Sequence, residues 1–182
     1  MKLFFALWPD AAVRAQLDEW ARCLHAACGG RRMRAENLHL TVAFIGNVED
    51  ARAAAIERAA DTVRARPFAL ALDQPGYWKD NRIAWAGASA VPAGLEALVT
   101  GLRGALDAQA IAFDHKPFVS HVTLLRDARK PAAMPRLEAI PWNVDGFALV
   151  ESRAGTEGSG YRVRKVWKAG RAGEVTNADP FR

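Results

Sequence analysis

Two cysteines in 182 residues cannot build a disulfide framework. Cys23 and Cys28 lie five apart in a helical stretch with His25 between them, and no other histidine is near them in sequence. A zinc site wants four ligands at tighter spacing, so both cysteines read as structural in a reducing compartment. Long hydrophobic runs are also missing. No segment approaches the ~20 apolar residues that cross a bilayer. The first apolar run, Leu3 to Trp8, is shorter than a secretory core and lacks a small-residue cleavage site, so it reads as a first strand. With no targeting signal, a cytoplasmic location is the expectation. Tyrosine occurs twice and histidine four times, so each one can be weighed singly. Acidic residues are outnumbered: 25 Lys and Arg against 20 Asp and Glu leave a net charge of +5. That balance suits an anionic partner such as a phosphate ester or RNA.

Against this sparse background one pattern occurs twice. Residues 38–45 read Leu-His-Leu-Thr-Val-Ala-Phe-Ile, and residues 120–126 read Ser-His-Val-Thr-Leu-Leu-Arg. With six threonines in the chain, two of four histidines having Thr two places on has a chance below about one in a hundred. Residues two apart on a strand share a face. His39, Thr41, Ala43 and Ile45 are therefore expected on one face, with Leu38, Leu40, Val42 and Phe44 on the other. In the second copy His121, Thr123 and Leu125 share a face, and Val122 and Leu124 oppose them. A lone strand histidine is usually structural; a matched pair demands a reason. Imidazole is the usual proton carrier near neutral pH, and a hydroxyl both donates and accepts. Two such modules facing each other supply a general acid, a general base and two hydroxyl donors for an oxyanion.

The rest of the chain alternates strand and helix. Residues 2–8 form a strand. Asp10 caps a helix whose stripe is Val13, Leu17, Trp20, Leu24 and Cys28, ended by Gly29-Gly30. A basic loop, Arg31-Arg32-Met33-Arg34, leads into the first His-Thr strand. Residues 50–65 are helical, and 68–73 and 82–87 are strands joined by a turn-rich connector over 74–81. Pro92 opens a helix with the stripe Leu95, Leu98, Val99, Leu102 and Leu106. A short strand is expected around 111–114, before the second His-Thr strand. Residues 142–153 form one strand, Gly155 to Gly160 a turn, and Tyr161 to Lys168 an alternating strand. The two histidines lie 82 residues apart, one in each half. The expected architecture is α+β: two pseudo-symmetric lobes, each an antiparallel sheet with helices outside, around a central cleft. The chain is expected to be a single bilobal domain over 1–182, with the tail 169–182 loosely ordered.

These residues resemble the two-histidine phosphoesterase superfamily. The N-terminal Leu-Phe-Phe-Ala-Leu-Trp-Pro, the Glu-Asn-Leu-His-Leu-Thr-Val-Ala-Phe-Ile-Gly block and the His-Val-Thr-Leu-Leu-Arg-Asp-Ala block are similar to the bacterial RNA 2′,3′-cyclic phosphodiesterases, also called 2′-5′ RNA ligases. The resemblance spans most of residues 2–168. It implies metal-independent hydrolysis of a 2′,3′-cyclic phosphate to a 2′-phosphate, with 2′-5′ ligation as a related reaction and no cofactor. It also implies His39 as general acid and His121 as general base, with Thr41, Thr123 and Arg126 binding the phosphate. Where the family often carries Pro before the second histidine, this chain has Ser120. On a straight strand Arg126 has the wrong parity to join His121, so it reaches the cleft only if the strand ends or bulges there.

The partner implied is RNA or a nucleotide with a 2′,3′-cyclic phosphate end, met by a monomer without membrane or metal. Alternatives are a related enzyme acting on small nucleotide cyclic phosphates or 2′-5′ oligonucleotides, and a non-catalytic RNA- or phosphate-binding module. The last would be served better by Arg or Lys than by paired His and Thr. No Asp/His cluster at ligand spacing accompanies either motif. Tyr77, Trp78, Phe5, Trp85 and Trp142 are candidates to stack on a base, with core packing favoured for Phe5 and Trp85. The Arg31–Arg34 cluster is a candidate RNA track. His25 reads as structural, and His115 as a neighbour of the second motif.

Overall fold

The computed structural model describes residues 1–153 and 160–170. In chain order the elements are β1 (Lys2–Leu7), α1 (Ala11–Cys28), β2 (Arg31–Arg32), β3 (Leu40–Asn47), α2 (Ala53–Asp61), β4 (Phe68–Leu72), β5 (Gln74–Trp78), β6 (Ile83–Gly87), α3 (Ala93–Ala108), β7 (His121–Arg126), β8 (Ile140–Val144), β9 (Gly146–Arg153) and β10 (Gly160–Lys168). Short 3-10 turns at Ala35–Asn37 and Asp50–Arg52 precede β3 and α2.

Eight strands form one sheet of order β10-β9-β1-β3-β7-β6-β5, with β2 also paired to β7. All of its ladders are antiparallel. The sheet divides at β3–β7, where a single pair, Leu40 with Val122, joins the halves. β10, β9, β1 and β3 make the first half; β7, β6, β5 and β2 make the second. Each half holds one His-Thr motif, as expected. Strands β4 and β8 form a separate ribbon.

The helices form where their residues dictate. The Asp10 carboxylate accepts from the Val13 N–H at 2.8 Å, and the whole stripe Val13, Leu17, Trp20, Leu24 and Cys28 is buried. In α3 the leucine and valine stripe is buried in full. Both stripes enter one core shared with Leu3, Phe5 and Leu7 of β1 and with Leu38, Leu40, Val42 and Ala43. On the other face of the sheet Phe4, Ala6, Ala148 and Val150 form a smaller apolar layer.

Several expected elements are corrected. Residues 74–78 of the turn-rich connector are a strand, and the turn is confined to the segment up to Arg82, which adopts φ +54°. The stretch 142–153 is two strands that break at Asp145 and enter different sheets. The helix expected over 50–65 ends at Asp61. Residues 111–114 form no strand; there the Asp114 N–H donates to the Phe44 carbonyl at 2.8 Å. Arg31 and Arg32 leave the loop to pair with Arg126 and Leu125. The expected Gly155–Gly160 turn, up to Ser159, and the tail beyond Gly170 lie outside the described residues.

Candidate active site

The faces of the His-Thr strands depart from simple alternation, and the departure builds the site. Along β3 the pairing to β1 runs Ala6 with Thr41, then Phe5 with Ala43, so Val42 is an extra residue. A bulge of this kind reverses the sense of the residues that follow it, here as far as the second shift at Ile45. Ala43 therefore turns into the core, and Phe44, expected inside, turns out to the cleft. Strand β7 repeats the device: Trp85 pairs with Thr123 and Ala84 with Leu125, leaving Leu124 extra. Leu125 is buried, contrary to the expected shared face with His121, and Arg126 joins the cleft. The conditional expectation for Arg126 is thus met through a bulge.

His39, Thr41, His121, Thr123 and Arg126 line a single cavity of about 350 Å³. His39 sits one residue before β3 begins. Its Nδ1 donates to the Asn37 carbonyl at 2.7 Å; in the same way His121 Nδ1 donates to the Val119 carbonyl at 2.9 Å. A carbonyl only accepts, so Nδ1 carries the proton and Nε2 is left with its lone pair in each neutral ring.

The surroundings of the two rings differ. His39 stacks on Trp8 (centroids 5.3 Å apart, planes within 6°), with Phe4 at 4.9 Å and Tyr161 at 5.0 Å. Its pKa is lowered to about 4, chiefly by burial, with the Asn37 carbonyl opposing and the charges of His121 and Arg126 adding to the shift. His121 meets the Trp78 ring edge-on at 4.5 Å. Burial lowers its pKa too, against the Val119 carbonyl. Burial also raises the Tyr161 phenol, while Arg126 draws it back.

Two glycines let backbone and side chains come this close. Gly30, at φ +85°, lies where a Cβ would sit 2.6 Å from the Arg126 carbonyl, so the α1–β2 turn packs directly on the end of β7. Gly76 leaves room for the Trp85 indole, which a Cβ there would meet at 2.0 Å. Trp85 in turn lies against Trp78 at 5.2 Å.

The aromatic candidates sort unevenly. Trp78 lines the cavity. Phe5 and Trp142 are buried in the core, and the cleft residue of that first strand is Phe4. Trp85 stands behind Trp78 on the cleft side rather than in the core cluster. The Tyr77 hydroxyl donates to the Ala128 carbonyl at 3.2 Å, tying the β5–β6 hairpin to the loop after Arg126. Arg31, Arg32 and Arg34 are not among the lining residues, although Met33 is. His25 lies 3.0 Å from the Gly30 carbonyl, and His115 packs on Phe113, both away from the cavity. Ser120, in the place of the family's frequent proline, is buried at 4% exposure, and its Oγ has no hydrogen-bond partner among the described residues.

Sequence reasoning missed Phe4, Trp8 and Tyr161 around His39, and Lys2, Phe44 and Ser152 farther along the cavity. The parity of β1 was the available signal for Phe4 and Lys2. Tyr161 and Phe44 depend on neighbouring strands that the sequence does not place. In β10 an extra residue, Arg164, falls between Val163 and Lys165, so Tyr161 and Val163 face the cleft layer while Trp167 enters the core.

An antiparallel sheet in two halves, each presenting one His-x-Thr strand to a common cleft, defines a two-histidine phosphoesterase. Residues 7–85 match the family described as LigT-like phosphoesterase. The chain is 33% identical over 168 residues to the RNA 2′,3′-cyclic phosphodiesterase of Escherichia coli, covering 91% of this chain and 95% of that protein. It is 32% identical over 175 residues to the protein of the same name from Thermus thermophilus, covering 90% and 87%. The crystal structure of E. coli LigT in apo form superposes with a TM-score of 0.85 at 32% identity, covering 93% of this chain and 98% of that one. The chain belongs to the LigT-like phosphoesterase family, and both of these relatives bear the name RNA 2′,3′-cyclic phosphodiesterase. No helix among the described residues is long and apolar enough to cross a membrane.

Proposed function

We propose that this protein hydrolyses 2′,3′-cyclic phosphate ends of RNA to 2′-phosphates, with His39 and His121 exchanging the protons and no metal ion required. One observation carries the reading: two imidazoles, each with Nδ1 tied to its own backbone, share a cavity with two threonine hydroxyls and an arginine. That set matches an in-line displacement at phosphorus. His121 Nε2 takes a proton from water as the water oxygen bonds to phosphorus. The P–O3′ bond breaks, and protonated His39 gives its Nε2 proton to the leaving O3′. The products are a 2′-phosphomonoester and a free 3′-hydroxyl. His121 ends protonated and His39 neutral, and exchange with solvent resets both. Acid and base each contribute typically ~10²–10⁴-fold. Thr41, Thr123 and Arg126 hold the non-bridging oxygens, where negative charge gathers in the transition state.

The low pKa of His39 fits this scheme. The ring is a strong acid once protonated, and an anionic phosphate arriving between the histidines favours that protonation. When an RNA 5′-hydroxyl attacks instead of water, the same groups form a 2′-5′ linkage, and the strained ring supplies the driving force without a cofactor. One chain supplies both histidines, so a monomeric single domain suffices, and its cytoplasmic substrate is RNA. E. coli LigT has been crystallised with phosphate and with 3′-AMP, which agrees with a cleft for phosphate and nucleotide. The test is incubation with an RNA ending in a 2′,3′-cyclic phosphate, with and without chelator. A 2′-phosphate product formed equally in both is expected; a 3′-phosphate product, or loss of activity with chelator, overturns the scheme.

A further inference from the structure

Three non-glycine residues among the described ones adopt a left-handed φ, and two of them are hydrogen-bonded to each other at the end of β7. Asp127, at φ +55°, follows Arg126; Arg82, at φ +54°, closes the turn between β5 and β6. Residues with a side chain hold that conformation only where their surroundings over-determine it. Here each segment is the surroundings of the other. The Ala128 N–H donates to the Arg82 carbonyl at 2.9 Å. The Arg82 guanidinium donates back, through Nη2 to the Asp127 carbonyl at 3.0 Å and through Nε to the Ala128 carbonyl at 3.4 Å. The Tyr77 hydroxyl donates to the same Ala128 carbonyl.

Arg126 needs such a hold. It is the last residue of β7 and is exposed. Its cross-strand partner in β2 is Arg31, and like charges directly opposite repel. No ion pair among the described residues holds its guanidinium. Its placement therefore comes from the backbone on either side. Towards α1, Gly30 packs on the Arg126 carbonyl. Towards the hairpin, Arg82 binds the next two carbonyls in the chain. A guanidinium can do this with one rigid fork, whereas an ammonium offers a single point of attachment. Arg82 itself is not in the cleft; its neighbours Asn81 and Ile83 line the cavity.

We propose that Arg82 is a positioning residue for the phosphate chemistry. Its guanidinium locks the Asp127–Ala128 backbone and so holds Arg126 where the non-bridging oxygens gather charge. The inference rests on the proposed reaction. It gives the β5–β6 hairpin two duties in one half of the site: its Trp78 edge meets the His121 ring, and its Arg82 fork fixes Arg126.

The test starts from Arg82→Gly, which accepts the left-handed φ and lacks the guanidinium, and from Arg82→Lys, which keeps only the charge. Single-turnover rates on a 2′,3′-cyclic phosphate, with enzyme in excess, allow slow variants to be read. Arg82→Gly should lower the rate about tenfold, with Arg82→Lys in between. In an Arg126→Ala chain, Arg82→Gly should change the rate by less than about twofold, because no guanidinium is left to misplace. A merely structural role would give the same loss in both backgrounds, and that result overturns the assignment, as does a wild-type rate in Arg82→Gly. Hydrogen exchange should speed up at the Ala128 amide in Arg82→Gly while the amides of β1 and β3 hold; unchanged exchange at Ala128 also overturns it. If the wild type turns over no cyclic phosphate, the reaction fails. The hold on Arg126 is then decided by calorimetric titration with inorganic phosphate, which Arg82→Gly should bind more weakly than the wild type only while Arg126 is present. Equal affinity, or no phosphate binding by the wild type, overturns the hold as well.

Discussion

The two His-x-Thr strands share a backbone and differ in their walls. Each has its histidine tied to the carbonyl two residues back, its threonine two residues on and a bulge right after the threonine. Around that shared frame, His39 is enclosed by Phe4, Trp8 and Tyr161, and His121 meets one indole edge. The frame sets geometry; the wall sets proton affinity. A duplicated backbone can thus deliver two chemically different histidines without any change in the motif.

The largest expected effect comes from removing either half of the pair. His39→Ala and His121→Ala should each lower kcat by ~10²–10⁴-fold, and the double variant should lose little more than the worse single one. Near wild-type turnover in either would break the comparison outright.

Acid should expose the unequal walls. His39 has a pKa of about 4 in the native protein, against about 6.5 in an unfolded chain. Between these values the unfolded chain binds the proton that the native ring refuses. Stability from this group is complete above about pH 6.5 and falls as pH drops towards 4, by up to ~3 kcal/mol. His39→Asn, which retains a donor for the Asn37 carbonyl, should show a shallower loss in urea melts over that window. In NMR titrations of the wild type, His39 should titrate well below its unperturbed range. Trp8→Ala should move it back up by opening one side of its wall. A His39 that titrates near 6.5 would mean that the walls do not distinguish the pair.

Gly30→Ala probes the support beneath Arg126. It combines a left-handed φ with a Cβ placed against the Arg126 carbonyl and Ala128 backbone, so it should cost ~1–3 kcal/mol of stability. It should also slow phosphate turnover through Arg126. At the equivalent end of β3 the Phe44 carbonyl instead accepts from the Asp114 N–H. Thermal melts with steady-state kinetics decide it; unchanged Tm and kcat would show that the turn does not hold Arg126.

Ser120→Ala should have the smallest effect, within ~1 kcal/mol and neutral to stabilising, because among the described residues its buried hydroxyl has no partner to lose. A large loss of stability or of kcat would reveal a bond that this position makes in solution.

Both catalytic candidates, their threonines and the two long helical stripes were legible in the sequence, because each rests on spacing within one element. Asp10 and Gly29 mark the ends of α1 through local chemistry that no partner strand alters. The cleft-facing set was legible only in part. Ala43, Phe44, Leu125 and Arg126 take the sides opposite to simple alternation, because bulges are set by how one strand registers on another. The same holds for β10, where Arg164 interrupts the alternation and separates Tyr161 from Trp167. The connector over 74–81 misled in another way. Its Pro75 and Gly76 have turn chemistry, yet Gly76 is where the Trp85 indole needs space, a requirement that comes from a neighbouring strand.

The choice of a peptide carbonyl to orient each imidazole has an electrostatic consequence. In Ser-His-Asp triads the same job falls to a carboxylate, which brings a full negative charge within a few ångströms of the reacting centre. Here the orienting groups are neutral, and among the described residues none of the cavity lining is acidic; the fixed charges there are Lys2 and Arg126. The machinery that holds the tautomer therefore puts up no Coulombic barrier against its own dianionic product or its anionic substrate. The cleft can gather negative charge twice, once on entry and again as the ring opens, against a background that stays positive.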